Sequence, residues 1–204
     1  MEALADRDTR DLAPEEVGRQ AVYGFLARVL ARPVEPSECT FAALLASDHT
    51  PLNQAFAEFC TALEAATKEQ IERCYHDLFI GVGRGELLPY TSYYLTGFLH
   101  EKPLAELRVD LERLGFARAE GVCEPEDHIA SLCEVMALLI DGTASGEFDV
   151  YEQDKFFNAH MRPWAGQFFA DLEAAKSADL YRWVGKIGTI FMGIEEESFG
   201  MIAR

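Results

Sequence analysis

Residues 124–140 read EPEDHIASLCEVMALLI. Ile129, Leu132, Cys133, Met136, Leu139 and Ile140 recur at spacings of three and four, the period of one face of an α-helix and not of a strand. Asp141-Gly142 predicts where that helix stops. In front of the apolar face stand Glu124, Pro125, Glu126, Asp127 and His128. Proline suits a first helical turn, and acidic side chains there complement the unpaired N–H groups and the helix dipole. The same carboxylates can accept hydrogen bonds from an incoming arginine or lysine. Asp127 with His128 also has the composition of an acid–base pair. The cluster alone leaves these readings open.

The helical period continues in both directions. Pro14-Glu15-Glu16 predicts a helix start, followed by Val17, Ala21, Phe25 and Val29 with Val22, Leu26 and Leu30 beside them. Shorter helices are predicted over 37–46 and 52–66. Thr67 and Gln70 have capping-box spacing, and the helix they open runs to Gly81. Pro103 opens another, with Leu104, Leu107, Leu111 and Leu114 on one face and Gly115 as terminator. Residues 150–162 form a helix broken at Pro163, with Trp164, Phe168, Phe169 and Leu172 beyond it. Ser177 is positioned to cap a last helix faced by Leu180, Val184, Ile187, Phe191 and Ile194. The expectation is an all-α, single helical domain of about eight or nine helices over 1–204. Ile129, Leu132, Met136, Phe168, Val184 and Ile187 are expected in its core. Two segments, 81–102 and 116–124, break the pattern. The second, which carries Gly121, predicts a hinge between an N-terminal half (1–115) and a C-terminal half (125–204).

Charge narrows the function. Thirty-five Asp and Glu against 18 Lys and Arg give a formal net charge of −17. This argues against phosphate-backbone binding and anionic membrane surfaces, and either steers cationic partners in or serves only solubility. No apolar run is long enough to span a bilayer, and the acidic start reads as neither a secretory signal nor a transit peptide. The five cysteines show no C-x-x-C pairing and predict a reducing compartment, with Cys74 and Cys133 as buried thiols. GVGRGE at 81–86 lacks the preceding strand and the G-K-[ST] ending of a phosphate loop. His76, His100, His128 and His160 share no metal-ligand spacing, so no metal site is expected. FFNAHMRPW (156–164) reads as a packed helix corner. LLPYTSYYLTGF (87–98) is aromatic-rich, with Tyr90, Tyr93, Tyr94 and Phe98 suited to a peptide groove or to filling a core.

YHDLFIG (75–81), LPYTSYYL (88–95), KPLAELRVDLERLGF (102–116), EPEDHIA (124–130) and FFNAHMRPWAGQFF (156–169), in this order, resemble the TorD/DmsD/NarJ-type redox enzyme maturation chaperones, most closely the TorD branch. The resemblance implies a cytoplasmic, all-α molecular chaperone and not an enzyme. Its partner would be the catalytic subunit of a molybdenum or tungsten oxidoreductase, met through its twin-arginine signal peptide, its folding core or both before export. A NarJ-like assembly role on a non-exported redox subunit is the alternative. A small helical enzyme using Asp127 and His128, or His160, is the remaining reading. The family's leader-binding motifs correspond to Leu78, Phe79 and Gly81; Pro89, Tyr90, Ser92 and Tyr94; and Glu124, Pro125, Asp127 and His128. The resemblance requires no cofactor, admits weak guanine-nucleotide binding without marking a site for it, and implies a monomer or a domain-swapped dimer. Asp127 is expected on the rim, reading leader arginines.

Overall fold

The computed structural model describes residues 12–45, 50–118, 124–142 and 149–202. Among them are ten α-helices: α1 (Pro14–Ala31), α2 (Glu38–Leu45), α3 (Pro51–Ala65), α4 (Lys68–Tyr75), α5 (Thr91–Thr96), α6 (Lys102–Arg113), α7 (Ile129–Asp141), α8 (Val150–His160), α9 (Ala165–Ala174) and α10 (Tyr181–Gly200). A π-helical turn, His76–Ile80, extends α4. No strand occurs among the described residues, and the only ladder-like contact is a single antiparallel bridge between Tyr90 and His128. The fold is all-α. The centre of the expected hinge, residues 119–123, lies outside the described residues, as does Cys123.

Helices from before and after residues 116–124 pack around one core. α1 lies along α7, α3 packs on α10, and α10 packs on α9. Ile129, Leu132, Met136, Phe168, Val184 and Ile187 are all 0 % exposed, because each sits on the inward stripe that the helical period predicts. Val17 does not join them and is exposed at the open start of α1. α9 and α10 approach closely because α10 presents glycines. A Cβ on Gly188 would enter the Phe169 ring, and one on Gly185 would strike the Glu173 backbone.

Local signals set several boundaries. Thr67 and Gln70 form the full reciprocal capping box. Pro103 sits in the first turn of α6, and Gly115, with φ 76°, follows its end. α8 stops at His160, ahead of Pro163. Ser177 does not cap α10, which begins at Tyr181 without a side-chain cap. The Ser177 amide instead donates to Glu86 at 3.0 Å, which ties this turn to the segment after the π-helical turn. The segment 81–102 also contains α5, six residues that end at Gly97 in a left-handed conformation.

Candidate functional site

The motifs at 78–81, 89–94 and 124–128 meet at one corner. The amide of Thr91 donates to the carbonyl of Asp127 at 3.0 Å, and that of Ile129 to the carbonyl of Pro89 at 2.9 Å. The segments before α5 and α7 are thereby laced together. Residues 125–128 form a turn, not the first turn of α7. The helix starts at Ile129, and His128 is its N-cap, its Nδ1 accepting from the Ala130 amide at 3.1 Å. The helix-start expectation for the acidic cluster therefore needs correction, and so does the rim expectation for Asp127, whereas Glu124 is exposed. Each acid ties down a different element.

Asp127 is 1 % exposed. Its Oδ2 accepts from the Ser92 amide at 2.8 Å and the Ser92 hydroxyl at 2.6 Å, and Ser92 is itself buried. The carboxylate stands at the start of α5, where free N–H groups converge. It is not on a rim. Glu126 pairs with Arg108 of α6 at 2.8 Å. Glu124 accepts from the Tyr90 hydroxyl, and burial together with this carboxylate raises the Tyr90 pKa. Pro125 supplies the carbonyl that closes the turn onto the His128 amide at 3.2 Å.

His128 packs edge-on against the Tyr90 ring, with centroids 5.2 Å apart. Burial lowers its pKa from 6.5 to about 4, against the raising influence of Glu124 and Asp127. The ring is neutral at pH 7, and the capping bond places its proton on Nε2. An unfolded chain binds that proton more readily, so stability is full above pH 6.5 and is lost as pH falls from 6.5 to 4. The loss is expected to reach about 3 kcal/mol. His128→Asn keeps a capping oxygen without titrating there. Melting curves between pH 7.5 and 4.5 should show a shallower pH dependence for this variant, and parallel dependences would rule out His128 as the cause.

The remaining motif residues divide by position. Leu78 is fully buried. Phe79 is half-buried and packs edge-on against Tyr75 and Tyr181, at 5.1 and 5.9 Å. Gly81 ends the π-helical turn at φ 60°, where a Cβ would collide with the Arg84 carbonyl. That conformation and the close approach both require glycine. Tyr94 faces away from the corner. It lies against Trp164 and Phe168 of α9 and donates to Asp171 at 3.0 Å.

A groove of about 740 Å³ opens beside this corner, between α1 and α7. Tyr75, Phe79, Ile80, Pro89, Tyr90 and His128 form one end of its lining. Gly24, Ala27, Arg28 and Ala31 line it from α1, and Ser131, Glu134, Ala137 and Leu138 from α7. At the far end Gln20 donates to Asp141 at 3.3 Å, so the two walls run antiparallel. Five of the motif residues, Phe79, Pro89, Tyr90, Glu124 and His128, reach the groove. Leu78, Ser92 and Asp127 support it from beneath. The helical walls were missed in the sequence, although small residues at 24, 27 and 31 fall on one face of α1.

His160, the other candidate acid–base residue, is buried with its Nε2 2.8 Å from Asp110. Its carbonyl accepts from the Trp164 indole at 2.8 Å. Burial alone would raise the Asp110 pKa, but the bonds from His160 and Arg113 hold it below the ordinary carboxylate range. This pair joins α6 to α8 at the packed corner expected for 156–164. Cys74 and Cys133 are buried free thiols. Among the described residues no group of three or more His, Cys, Asp or Glu side chains is placed to hold a metal, and no helix is long and apolar enough to cross a membrane.

The family model described as nitrate reductase delta subunit matches residues 45–170. The chaperone protein TorD of Aliivibrio fischeri is 31 % identical over 124 residues, 56 % of this chain and 58 % of that protein. TorD of Photobacterium profundum is 27 % identical over 158 residues, covering 70 % and 73 %. TorD of Vibrio cholerae (strain M66-2) is 27 % identical over 165 residues, covering 75 % and 74 %. The chain thus spans between 58 % and 74 % of the length of these three relatives. The family match runs from the end of α2 into α9 and includes all three motifs, and the chain belongs to the nitrate reductase delta subunit family, that of the TorD/NarJ-type redox enzyme maturation chaperones.

Proposed function

We propose that this protein is a cytoplasmic chaperone whose α1–α7 groove receives the twin-arginine signal peptide, or a segment of the folding catalytic subunit, of a molybdenum or tungsten oxidoreductase. Holding that segment would delay export until the cofactor is in place. The observation that carries this reading is the groove. Its aromatic end, built from the three motifs, suits apolar side chains, and carboxylates along it suit basic ones. A leader with a basic stretch followed by an apolar one is complementary to both, and the net charge of −17 favours its approach. The reading needs no metal or nucleotide. The protein would act as a monomer, or as a dimer that exchanges halves through 116–124.

A NarJ-like role on a non-exported subunit has support from the description of the matched family, and it uses the same groove. The experiment that tests the groove fills it. Ala137→Trp on α7, and separately Ala27→Phe on α1, should weaken binding of a synthetic twin-arginine leader at least tenfold in titration calorimetry, with cooperative melting retained. The use of opposite walls guards against one variant failing to fold. Leader affinity unchanged in both folded variants would overturn the groove as the site. Binding of mature subunit without leader would favour the NarJ-like role.

A further inference from the structure

We infer that Glu134 is the residue through which the groove reads a cation on its occupant, and that this cation lies within about one helical turn of an apolar anchor. The inference rests on the groove being the partner site proposed above.

The fates of the neighbouring charges single out Glu134. Glu124 holds the Tyr90 hydroxyl, Glu126 holds Arg108, and Asp127 is buried on Ser92. Asp141 accepts from Gln20. The two arginines that line the groove are themselves matched to acids outside its lining. Arg28 makes three bonds of 3.0–3.2 Å to Glu38, and Arg32 lies 3.7 Å from Glu35. Glu134 lines the same groove, is exposed, and has no ion-pair or hydrogen-bond partner among the described residues. The wall cations are thus offset by acids elsewhere, and the unmatched charge facing an occupant is negative.

Position sets the spacing. Glu134 is four residues after Ala130, which lies at the aromatic end beside Tyr90 and His128. Four residues of helix advance about 6 Å. A cation on Glu134 and an apolar side chain against Tyr90 and Phe79 are then about two residues apart in an extended occupant, or one turn apart in a helical one. Ala137, and Ala27 on the facing wall, leave room for the occupant's backbone. Its carboxylate favours arginine over lysine, because the planar guanidinium can donate two parallel bonds.

The test uses the full chain and two fluorescein-labelled peptides, one with two adjacent arginines followed by a run of leucines, the other with glutamines in place of those arginines. Fluorescence anisotropy should show the wild type preferring the arginine peptide by about tenfold. Glu134→Gln, at an exposed position, should melt like the wild type and retain at most a twofold preference. Inserting six glycines between the arginines and the leucines should erase the preference in the wild type. A folded Glu134→Gln protein that keeps the tenfold preference overturns this inference. If Ala137→Trp and Ala27→Phe still abolish binding in that case, the groove reading stands and another residue reads the cation. Binding that survives both groove-filling variants, or wild type that binds neither peptide, overturns the groove reading and this inference together. A groove occupied by a second copy, seen as a dimer that peptide does not dissociate, overturns the inference as well.

Discussion

Replacing Arg19 with alanine is expected to cost about 3–5 kcal/mol of stability and to lower the melting temperature by roughly 10 °C or more. Arg19 of α1 donates to both oxygens of Glu195 of α10, each at 2.7 Å, and to Gln153 of α8 at 2.9 Å. Glu195 is 0 % exposed and accepts a further bond from Tyr23 at 2.9 Å. Burial and the Glu195 charge hold the Tyr23 pKa well above its ordinary value, so the phenol remains a donor. The guanidinium also lies 5.1 Å from the Phe199 ring. Removing it leaves a buried carboxylate with the phenol as its remaining partner in this network, and an uncompensated buried charge is among the most costly single defects. Changing Arg19 and Glu195 together to methionine should restore most of the loss, because the pair recovers little more than its own desolvation. Denaturant titrations of the single and double variants measure both. A single variant that melts within two or three degrees of wild type would show that the network is worth no more than a surface ion pair.

Asp127→Ala is expected to cost about 3 kcal/mol, since it leaves the buried Ser92 amide and hydroxyl without their acceptor. The amides of α5 should exchange with solvent markedly faster in native-state hydrogen exchange, because the carboxylate completes the start of that helix from a distance in sequence. Asp127→Asn retains an oxygen for Ser92 and should lose less. Leader affinity of the folded Asn variant should stay within about twofold of wild type, since a carboxylate satisfied beneath the groove contributes little charge to its lining. A tenfold fall in affinity without a change in melting would restore Asp127 as a reader of the leader. α5 exchange unchanged in Asp127→Ala would remove its structural role.

The contrast between Asp127 and Glu134 shows how far the sequence was legible. Helices of ten residues or more carry two or three apolar repeats, so α1, α3, α6, α7 and α10 could be read from spacing. Thr67 acts through a side chain that reaches three residues along, and Pro103 and Gly115 act through their own backbones, so their effects are local. α5 has six residues, too few for a period, and its start is completed by a side chain 35 positions away. No local rule reports such a helix. Ser177 has the right residue type for a cap, but α10 begins four residues later at Tyr181 without a side-chain cap. The three motifs were legible as a group because they meet at one corner. Which of their side chains face the groove depends on a one-residue choice of direction along an irregular backbone. That choice sends Tyr90 to the lining and Ser92 to the interior. Glu134 looked like an ordinary polar residue of an amphipathic helix, and only the opposing wall of α1 gives it a role.

The packing of α1 against the much later α7 has a consequence during synthesis. Ala31 ends α1 and Ile129 begins its partner α7, 98 positions later by subtraction (129 − 31). At roughly 5–20 residues per second, the ribosome delivers α7 about 5–20 s after α1. For that interval α1, whose Phe25 can already meet Phe56 and Phe59 of α3, lacks the part of its cover that α7 supplies in the finished protein. A nascent chain stalled before α7 therefore presents α1 with an uncovered face and has no α1–α7 groove.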